Sequence, residues 1–452
     1  MPADPIKHVI VLMMENHSFD QMLGSLKKVY SNLDGIDPND PGVNRDAGGK
    51  IYAQQVTKAT KVLSDPRHAL SNVLAQIENH NSGFVLDYLR AFPTADAQLV
   101  MDYYDVDFLP VLHTLAQNFA VCDRWFSSMP GPTWPNRFFV NTGTCMGHVL
   151  MPTGVFDPNI YRYNQATVFN RLSERGISWK IYHHGEMQTL VLSQLWLHLT
   201  HFCGMDDFLE DARGPESEFP QYCFIEPDYS GPDQNDQHPP TDIMQGERLI
   251  GEVYNAIRQN EALWNSSLIV LIYDEHGGFY DHVEPGATVP PDNLTSEFDF
   301  KRFGLRVPAL LISPWIDTGV IKTEFDHTSV LRYVQEKWSL GDLRDRTAHA
   351  NSFGPELLKR QTARTDTPGP LQNLPAPSPI SMTAALAAPV QPNENQQALV
   401  AFSQYLETQM ESDTSKVGER TLRSLTAASQ ASVSKERFQD FLRRGPQSAP
   451  RR

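Results

Sequence analysis

The chain has 452 residues, of which 40% are hydrophobic and 20% charged, a composition typical of a globular protein with a sizeable core. Its 54 acidic residues outnumber 38 Lys and Arg and give a formal net charge of −16. That excess of acid argues against a nucleic-acid-binding protein, whose affinity comes mainly from basic side chains on phosphates. The apolar runs fall well short of the roughly 18 residues that a membrane-spanning helix needs, so we expect no transmembrane segment.

The N-terminus lacks the basic start, long apolar core and cleavage site of a signal peptide. As given, the chain is therefore expected to be cytoplasmic, or secreted or periplasmic if it is a processed form. The four cysteines have no CxxC pair, which argues against a structural zinc site. We expect them to be buried apolar side chains, with a Cys203–Cys223 bridge only in an exported protein.

Short β-rich apolar runs alternate with helix-like segments along most of the chain. The runs have the composition of strands buried on both faces, and they lie at 6–14, 119–122, 267–274 and 307–313. Apolar residues spaced three and four apart predict helices at 107–117, 167–175 and 243–259. This alternation predicts an α/β fold in which a central, mostly parallel sheet is sandwiched by helices.

The first polar motif, Glu15-Asn16-His17-Ser18-Phe19-Asp20, follows the first predicted strand. In open α/β sheets ligands collect at the carboxyl ends of the strands. Glu15 and Asn16 both offer hard oxygen atoms that suit a divalent cation. The alternative is a Glu-Asn pair that only ends the strand and caps a helix.

The second motif is Ser-Ser-Met-Pro-Gly-Pro-Thr-Trp-Pro-Asn-Arg-Phe-Phe at 127–139. Its Pro-Gly-Pro predicts an irregular turn, and Pro135 suits the first residue of a helix that runs through Phe139. Thr133 would then lie at the helix mouth, where unpaired N–H groups attract anions. A hydroxyl held there could attack phosphorus with the help of a metal ion. The alternative is a threonine that merely caps the helix.

Histidines are dispersed between these motifs. Gathered around a phosphate, they could bind its oxygens and give a proton to a leaving group; the candidates are His68, His80, His183, His184, His238 and His327. His238 and the pair His183–His184 flank irregular segments and are preferred. His327 fits equally well as an anchor of the helix that follows it. His8, His113 and His148 have no such context and are interpreted as structural.

The densest motif, Tyr-Asp-Glu-His-Gly-Gly-Phe-Tyr-Asp-His at 273–282, follows the strand predicted at 267–274. The adjacent carboxylates of Asp274 and Glu275 would repel each other unless a cation lies between them or a proton is taken up. The two glycines let the backbone approach a ligand closely. We therefore interpret Asp274 and Glu275 as metal ligands.

From about Thr365 the sequence is rich in Pro, Ala, Gln, Ser and Thr, which predicts a linker lying on or near the core. A helix is predicted at 394–410, followed by a tail at 413–452. The tail holds nine basic and four acidic residues, a net charge of +5 that leaves about −21 on the body. It is either a solvated end or a surface that docks on acidic protein or anionic lipid. We expect a catalytic domain at 1–363 and a linker, helix and basic tail at 364–452.

Together, the segments ENHSFD, PGPTWPNR, DQHPP, YDEHGGFYDHV and FDHTSVLR resemble the phosphoesterase family of bacterial and plant non-specific phospholipases C and related acid phosphatases. They occur in order between Ile6 and about Phe353. The family is similar in core to alkaline phosphatases and sulfatases. The resemblance therefore implies an alkaline-phosphatase-like core, here with a C-terminal extension.

The resemblance also implies roles for individual residues. One divalent ion, Ca²⁺, Mg²⁺, Mn²⁺ or Zn²⁺, would be held by Glu15, Asn16, Asp274 and Glu275. Thr133 would be the nucleophile that becomes transiently phosphorylated, and threonine at this position is typical of the phospholipase C members. Histidines would contact the phosphate or donate a proton; these are His68 and His238, with a weaker match at His183 and His184.

The function implied is that of a metal-dependent phospholipase C, which hydrolyses phosphatidylcholine-type lipids to diacylglycerol and a phosphorylated headgroup. Alternatives are a broad-specificity acid phosphatase acting on small phosphate monoesters and a catalytically silent lipid-binding scaffold. No cysteine lies in a Cys-x-Pro-x-Arg segment, which argues against a sulfatase. We expect at most peripheral contact with a lipid surface. A choline cation could be held by aromatic rings, for which the candidates are Trp134, Tyr161, Tyr163 and Trp196.

Overall fold

The computed structural model describes residues 4–62, 64–152, 163–376, 392–410 and 427–446. Numbered along the chain, the strands are β1 (His8–Met14), β2 (Val43–Arg45), β3 (Ile51–Ala53), β4 (Gln55–Thr57), β5 (Asp102–Tyr104), β6 (Ala120–Cys122), β7 (Trp125–Phe126), β8 (Trp179–His183), β9 (Phe202–Gly204), β10 (Tyr222–Glu226), β11 (Ser267–Tyr273), β12 (Ala309–Ile312), β13 (Gly319–Ile321) and β14 (Phe325–Asp326).

The α-helices are α1 (Phe19–Leu23), α2 (Leu70–Gln76), α3 (Glu78–Asn81), α4 (Phe84–Ala91), α5 (Leu112–Asn118), α6 (Thr133–Thr142), α7 (Val168–Glu174), α8 (Met205–Arg213), α9 (Ile243–Gln259), α10 (Glu261–Trp264), α11 (Thr328–Trp338), α12 (Asp345–His349), α13 (Gly354–Leu357), α14 (Glu394–Met410) and α15 (Ala427–Arg444). Short 3₁₀ helices lie at Gly24–Lys28, Ala97–Met101, Gln188–Val191, Ser193–His201 and Glu216–Glu218.

Eight strands form the central sheet, in the order β13-β6-β12-β11-β1-β10-β8-β9. Strand β1 lies inside the sheet and runs parallel to both of its neighbours, β10 and β11. Strand β12 runs antiparallel to β11 and β6, whereas the other neighbouring pairs of this sheet are parallel. The predicted α/β fold with a mostly parallel sheet is confirmed.

The composition of the inner strands explains their position. Every residue of β1 (HVIVLMM) and of β11 (SLIVLIY) is buried. Such runs have no polar face to turn to water, so they need cover on both sides of the sheet. Helix α5 packs on β6 and β12, while α7 and α8 pack on β8. The apolar strands and the helices around them thus build one continuous core.

The direction of β12 is a feature that its sequence did not reveal. The run at 307–313 does form a buried strand, Ala309–Ile312. Within the fully described stretch between β11 and β12, however, the chain forms no α-helix. A parallel neighbour needs a crossover connection, usually a helix, whereas a loop can return the chain antiparallel. The connection therefore determines the direction.

Two of the three predicted helices agree closely with the structure, as α7 and α9, whose N-caps are the side chains of Thr167 and Asp242. The helix predicted from residue 107 begins only at Leu112, as α5. The backbone N–H groups of Val111 and Leu112 donate to the buried Glu247 carboxylate at 2.6 and 3.1 Å. This distant side chain caps the helix, and a local pattern cannot reveal such a cap.

Helix α6 begins earlier than predicted. It starts at Thr133, so Pro135 lies within the first turn and is not the first residue. A proline is tolerated there because the first N–H groups of a helix have no partner inside it. The helix continues past Phe139 to Thr142 and is capped by Gly143, whose φ of 74° is left-handed.

The C-terminal extension packs on the rest of the protein wherever the structure describes it. Residues 364–376 run along α9, where the Tyr254 hydroxyl donates to the carbonyl oxygen of Pro368 at 2.6 Å. Helix α14 has the predicted bounds, and α15 packs against it. In α15, Lys435 pairs with Asp228 at 2.6 Å. Part of the basic tail thus docks on this protein's own acidic body; residues 411–426 and 447–452 lie outside the described residues.

The cysteines are free thiols. Cys203 lies in β9 and Cys223 in β10, with β8 between them. Two strand spacings amount to about 10 Å, which exceeds the Cα separation that a disulfide tolerates. The suggested Cys203–Cys223 bridge is therefore wrong for this fold. Among the helices of the described residues, none is long and apolar enough to cross a membrane.

Candidate active site

Four predicted ligands come together at the carboxyl ends of β1 and β11. Glu15 and Asn16 follow β1, Asp274 and Glu275 follow β11, and all four side chains are buried. The Asn16 N–H donates to Asp274 Oδ1 at 3.1 Å, which joins the two strand ends. Asn16 has a φ of 55°, a left-handed conformation that asparagine tolerates better than most residues. The parallel register of the strands explains why residues so distant in sequence meet here.

The two glycines after Glu275 serve this packing. A Cβ at Gly277 would lie 2.2 Å from the carbonyl oxygen of Asn16, and one at Gly278 would lie 2.7 Å from Cβ of Pro66. Both glycines also have positive φ values, 65° and 74°. The turn therefore lets the backbone approach Asn16 and the segment that carries His68.

Arg137, which the sequence analysis did not single out, binds two of the candidate ligands. Its guanidinium contacts Glu15 Oε1 at 3.2 Å and Asp274 Oδ2 at 3.0 Å, and it is fully buried. A third bond, at 2.9 Å, goes to the Tyr229 hydroxyl. Thr133 lies four residues before Arg137 in α6, so both are on the same face of that helix. The first turn of α6 therefore faces the carboxylates. The spacing of four residues between Thr133 and Arg137 was the feature of the sequence that could have identified Arg137 as a site residue.

His68 and His238 lie beside the same carboxylates. Their rings meet edge to face, with centroids 5.8 Å apart. His68 Nδ1 lies 2.8 Å from the Pro66 carbonyl oxygen, while its Nε2 lies 3.3 Å from Asn16 Nδ2 and 3.9 Å from Glu275 Oε1. His238 Nε2 is buried without a hydrogen-bond partner among the described residues. Asp65, also absent from the predicted set, lies 3.9 Å from each of the two rings.

The other histidines occupy different places. His183 and His184 end β8 or follow it, two strands away from β1, and neither contacts the four candidate ligands within the described part of the chain. His183 Nδ1 lies 3.1 Å from the Gly185 carbonyl oxygen, and burial lowers its pKa to about 4. His184 Nδ1 lies 2.7 Å from Asn235 Nδ2. Their catalytic role stays a prediction.

His327 contacts the backbone of Asp274, one of the four candidate ligands. It precedes α11, and its Nε2 donates to the carbonyl oxygen of Asp274 at 2.7 Å. Burial lowers its pKa to about 4, so the ring is neutral. His327 therefore anchors the backbone of Asp274 as well as the helix. His8 and His113 are buried and hydrogen-bonded to backbone carbonyls of distant segments, as expected of structural histidines.

The electrostatics of the site show an excess of negative charge. Burial, together with the neighbouring carboxylates, raises the pKa of Glu15 well above its usual value and that of Asp274 to about 7, although Arg137 opposes both shifts. Burial also opposes the charge on Glu275, but His68 and His276 together hold its pKa below the usual range. For His68, burial is outweighed by Glu275 and Asp65, which raise its pKa to about 9.

The oxygen atoms of the four candidate ligands suit a divalent cation. Buried oxygens without a hydrogen-bond partner among the described residues include Glu15 Oε2, Asn16 Oδ1 and Glu275 Oε1, all acceptors that a hard cation would satisfy. The carboxylates of Glu15, Asp274 and Glu275 do not, however, form a group in which one ligand atom from each residue lies within 4.8 Å of the other two. In the described residues, such groups are Asp65, His68 and His238, and Asp20, Asp281 and His282.

The second of these groups already holds a cation. The Arg306 guanidinium lies 3.0 Å from Asp20 Oδ1 and 2.9 Å from Asp281 Oδ1. His282 Nδ1 lies 2.8 Å from Asp20 Oδ2, and that carboxylate helps to raise the pKa of His282 to about 10 against the effect of burial. We therefore interpret this group as a buried ion-pair network.

The suggested choline-binding aromatics do not line an open surface. Trp134, Tyr163 and Trp196 are buried. The Trp134 ring packs against Tyr163 with centroids 6.3 Å apart, and that of Trp196 packs against Phe441 at 5.1 Å. Tyr161 lies outside the described residues. The three described rings are thus part of the core, because their faces are used in packing.

The chain is similar to several known proteins. A model of the Phosphoesterase family matches residues 6–341. Non-specific phospholipase C3 of Arabidopsis thaliana is 33% identical over 413 residues, which cover 82% of this chain and 77% of the relative. Phospholipase C B of Mycobacterium tuberculosis is 27% identical over 403 residues, covering 74% of each chain. Among solved structures, a lipoteichoic acid synthase of Listeria monocytogenes matches with a TM-score of 0.36 and 10% identity over 74% of this chain and 72% of that chain.

Proposed function

Since the chain belongs to the Phosphoesterase family and is a hydrolase of phosphoric esters, we propose that it is a metal-dependent phospholipase C acting on phosphatidylcholine-type lipids. The observation that carries the proposal is the buried, acceptor-rich site at the ends of β1 and β11, faced by the first turn of α6. The names of the relatives in plants and bacteria favour a phospholipid substrate over a small monoester.

The proposed ion ligands are Glu15, Asn16, Asp274 and Glu275. When bound, a divalent ion would neutralise charge on the phosphate and lower the pKa of the Thr133 hydroxyl. Two further residues hold these ligands in place. Arg137 donates to Asp274 Oδ2 and Glu15 Oε1, and His327 donates to the backbone carbonyl oxygen of Asp274.

The proposed nucleophile is Thr133. Its Oγ attacks the phosphorus and passes its proton to an acceptor nitrogen, for which the unpartnered Nε2 of His238 is suited. The bond from phosphorus to the glycerol oxygen breaks, and the departing diacylglycerol takes a proton from His68, whose ring lies 3.9 Å from the carboxylates of Asp65 and Glu275. Water then attacks the phosphorus of the phospho-threonine and gives a proton to His68, while the bond from phosphorus to Thr133 Oγ breaks and Oγ takes back its proton from His238. This step releases the phosphorylated headgroup and restores Thr133 and both histidines.

The proposal is tested by replacing Thr133 with Ala and with Ser. We expect Thr133→Ala to lose hydrolysis and Thr133→Ser to retain a measurable part of it, because serine keeps the hydroxyl. The substrates are phosphatidylcholine, phosphatidylethanolamine and p-nitrophenyl phosphate, each with and without chelator, and products are identified by mass spectrometry. Wild-type rates for Thr133→Ala would refute the nucleophile. Release of phosphate from the monoester far above headgroup release from lipid would identify an acid phosphatase instead.

A further inference from the structure

The start of the C-terminal helix α14 lies against the proposed active site. Four consecutive residues contact the catalytic body: Asn393 Nδ2 lies 3.0 Å from His238 Nδ1, Glu394 Oε1 lies 3.5 Å from Arg67, Asn395 Nδ2 lies 2.8 Å from Glu15 Oε1, and Gln396 Nε2 lies 2.9 Å from the Tyr229 carbonyl oxygen. This segment follows the predicted linker, and nothing in the sequence indicated that it belongs to the site.

Asn395 is the best placed of the four. Its Nδ2 donates to Glu15, and its Oδ1 accepts from the indole N–H of Trp134, also at 2.8 Å. All three side chains are buried. Because one end of the amide must donate and the other must accept, only one orientation of Asn395 satisfies both neighbours.

The consequence for Glu15 is a defined orientation of its carboxylate. Asn395 and Arg137 both bind Oε1, so this oxygen is held from two sides. Oε2 is left without a partner among the described residues and is the oxygen available to an ion. The indole on the other side of the amide belongs to the residue after Thr133. A single amide thus connects a proposed ion ligand to the helix that carries the proposed nucleophile.

The segment is fixed in place by its own structure. The Asn393 side chain accepts from the Gln396 N–H at 2.8 Å, and the Gln396 side chain accepts from the Asn393 N–H at 3.1 Å. These reciprocal bonds form a capping arrangement at the start of α14. Behind them, Ala398, Leu399 and Phe402 are buried in the core. Asn395 is therefore presented to the site by an anchored helix.

We infer that Asn395 is a positioning residue of the active site, which sets the orientation of Glu15 for ion binding and couples it to α6. The inference rests on the proposed function. It also means that the region predicted as a catalytic domain, 1–363, lacks one of the groups that complete its site.

The test uses the full-length protein with Asn395→Leu, which is similar in size but makes neither hydrogen bond. The matched control is Gln397→Leu, on the same turn of α14, where the exposed side-chain amide donates to the Pro392 carbonyl oxygen. The affinity for Mn²⁺ and Ca²⁺ is measured by titration calorimetry, kcat and KM are measured for p-nitrophenyl phosphate and phosphatidylcholine, and unfolding is followed in chelator. Groups that orient a metal ligand typically contribute 10–100-fold in affinity or activity.

For Asn395→Leu we expect ion affinity and kcat each to fall about 10–100-fold, with KM changed little. The unfolding midpoint in chelator should lie below that of Gln397→Leu, because the buried indole N–H of Trp134 loses its acceptor, but the protein should remain folded under the assay conditions. Trp134→Phe, which removes the indole donor and part of a buried ring but keeps the bond from Asn395 to Glu15, should give a smaller fall in the same direction. Ion affinity and kcat within twofold of wild type for Asn395→Leu would overturn the inference. So would a loss of folding in chelator that accounts for the whole loss of activity, with Trp134→Phe unaffected.

The two proposals fail in distinguishable ways. If the wild type binds the ion but hydrolyses neither substrate, while Asn395→Leu binds the ion more weakly, the proposed function is wrong and the positioning role stands. If the wild type hydrolyses lipid and Asn395→Leu does so equally well, the positioning role is wrong and the function stands. A wild-type protein that binds no divalent ion would overturn both.

Discussion

Replacing Arg137 with Met should destabilise the protein in a manner that depends on pH. Within the described residues, no other Lys or Arg contacts Glu15 or Asp274, so the variant leaves both carboxylates buried without a counter-charge. Breaking a buried ion pair by removing one partner costs about 3–5 kcal/mol. For a chain of 452 residues, an unfolding entropy of about 2 cal/mol/K per residue converts this loss into a fall in Tm of about 3–5 °C.

The pH dependence has a definite sign. Both carboxyls have pKa values in the folded protein above their usual ones, about 7 for Asp274. Each therefore lowers stability as the pH rises from the unfolded-state pKa of about 4 through the folded-state value. Without Arg137 both folded-state pKa values rise further, because nothing then opposes burial and the neighbouring carboxylates, and the decline continues to higher pH. The difference between Arg137→Met and wild type should be small at pH 5 and should grow as the pH rises through about 7, the wild-type pKa of Asp274, so that it is measurable at pH 8.

The assay is thermal unfolding followed by circular dichroism, in chelator, at pH 5 and pH 8. The control is Arg332→Met, which removes a surface pair with Glu336 at 2.8 Å and a bond to the Ala348 carbonyl oxygen at 3.2 Å, and should cost about 1 kcal/mol at either pH. A Tm for Arg137→Met equal to that of wild type at pH 8 would refute the reasoning. An equal loss at both pH values would show that packing, not charge, is the cause.

Three further predictions concern the ion, the anchor of Asp274 and a buried acid. Exhaustive chelation should abolish hydrolysis, and the separate return of Ca²⁺, Mg²⁺, Mn²⁺ or Zn²⁺ should identify the ion that restores it; full activity after chelation would contradict metal dependence. His327→Leu leaves the buried carbonyl oxygen of Asp274 without its donor, so urea unfolding should show a loss of about 1–3 kcal/mol, and an unchanged midpoint would contradict that role. Burial raises the pKa of Glu247 to about 7, so ionisation of this side chain lowers the free energy of unfolding as the pH rises from about 4.5 through 7. The free energy of unfolding of Glu247→Gln should therefore rise by about 2–3 kcal/mol relative to that of wild type between pH 5 and pH 8. Parallel pH profiles of the two proteins would contradict this.

The parts of the fold that could be predicted are those in which local composition and final environment agree. Strands β1 and β11 are uninterrupted apolar runs, and both are buried at the centre of the sheet. Strand β10 was not predicted, although it lies beside β1. It is short and ends in Glu226, a carboxylate whose burial depends on bonds from Thr189 at 2.8 and 3.1 Å. No local pattern predicts a buried charge that is satisfied from elsewhere in the chain.

The active site likewise contains residues that the local sequence reveals and residues whose role depends on distant contacts. The four proposed ion ligands stand directly after apolar strands, so their position was readable from the order of residues. Asn395 carried no such signal, because its contact with Glu15 spans 380 residues of sequence and exists only once α14 is docked. Arg137 lay within a segment that resembled the family, yet its role depends on the register of α6 against two strand ends. Side chains that connect elements are thus the part of a site that sequence reasoning finds last.

The central position of β1 has a consequence for how the protein is made. The register of this strand pairs Val9 with Tyr222 and His8 with Ser267, which are synthesised much later than the strand itself. Until then, seven residues with high strand propensity and no acidic side chain remain without their native partners. Exposed segments of this type promote aggregation during slow, long-range folding. Recombinant production should therefore benefit from slower translation and from chaperones that bind nascent chains.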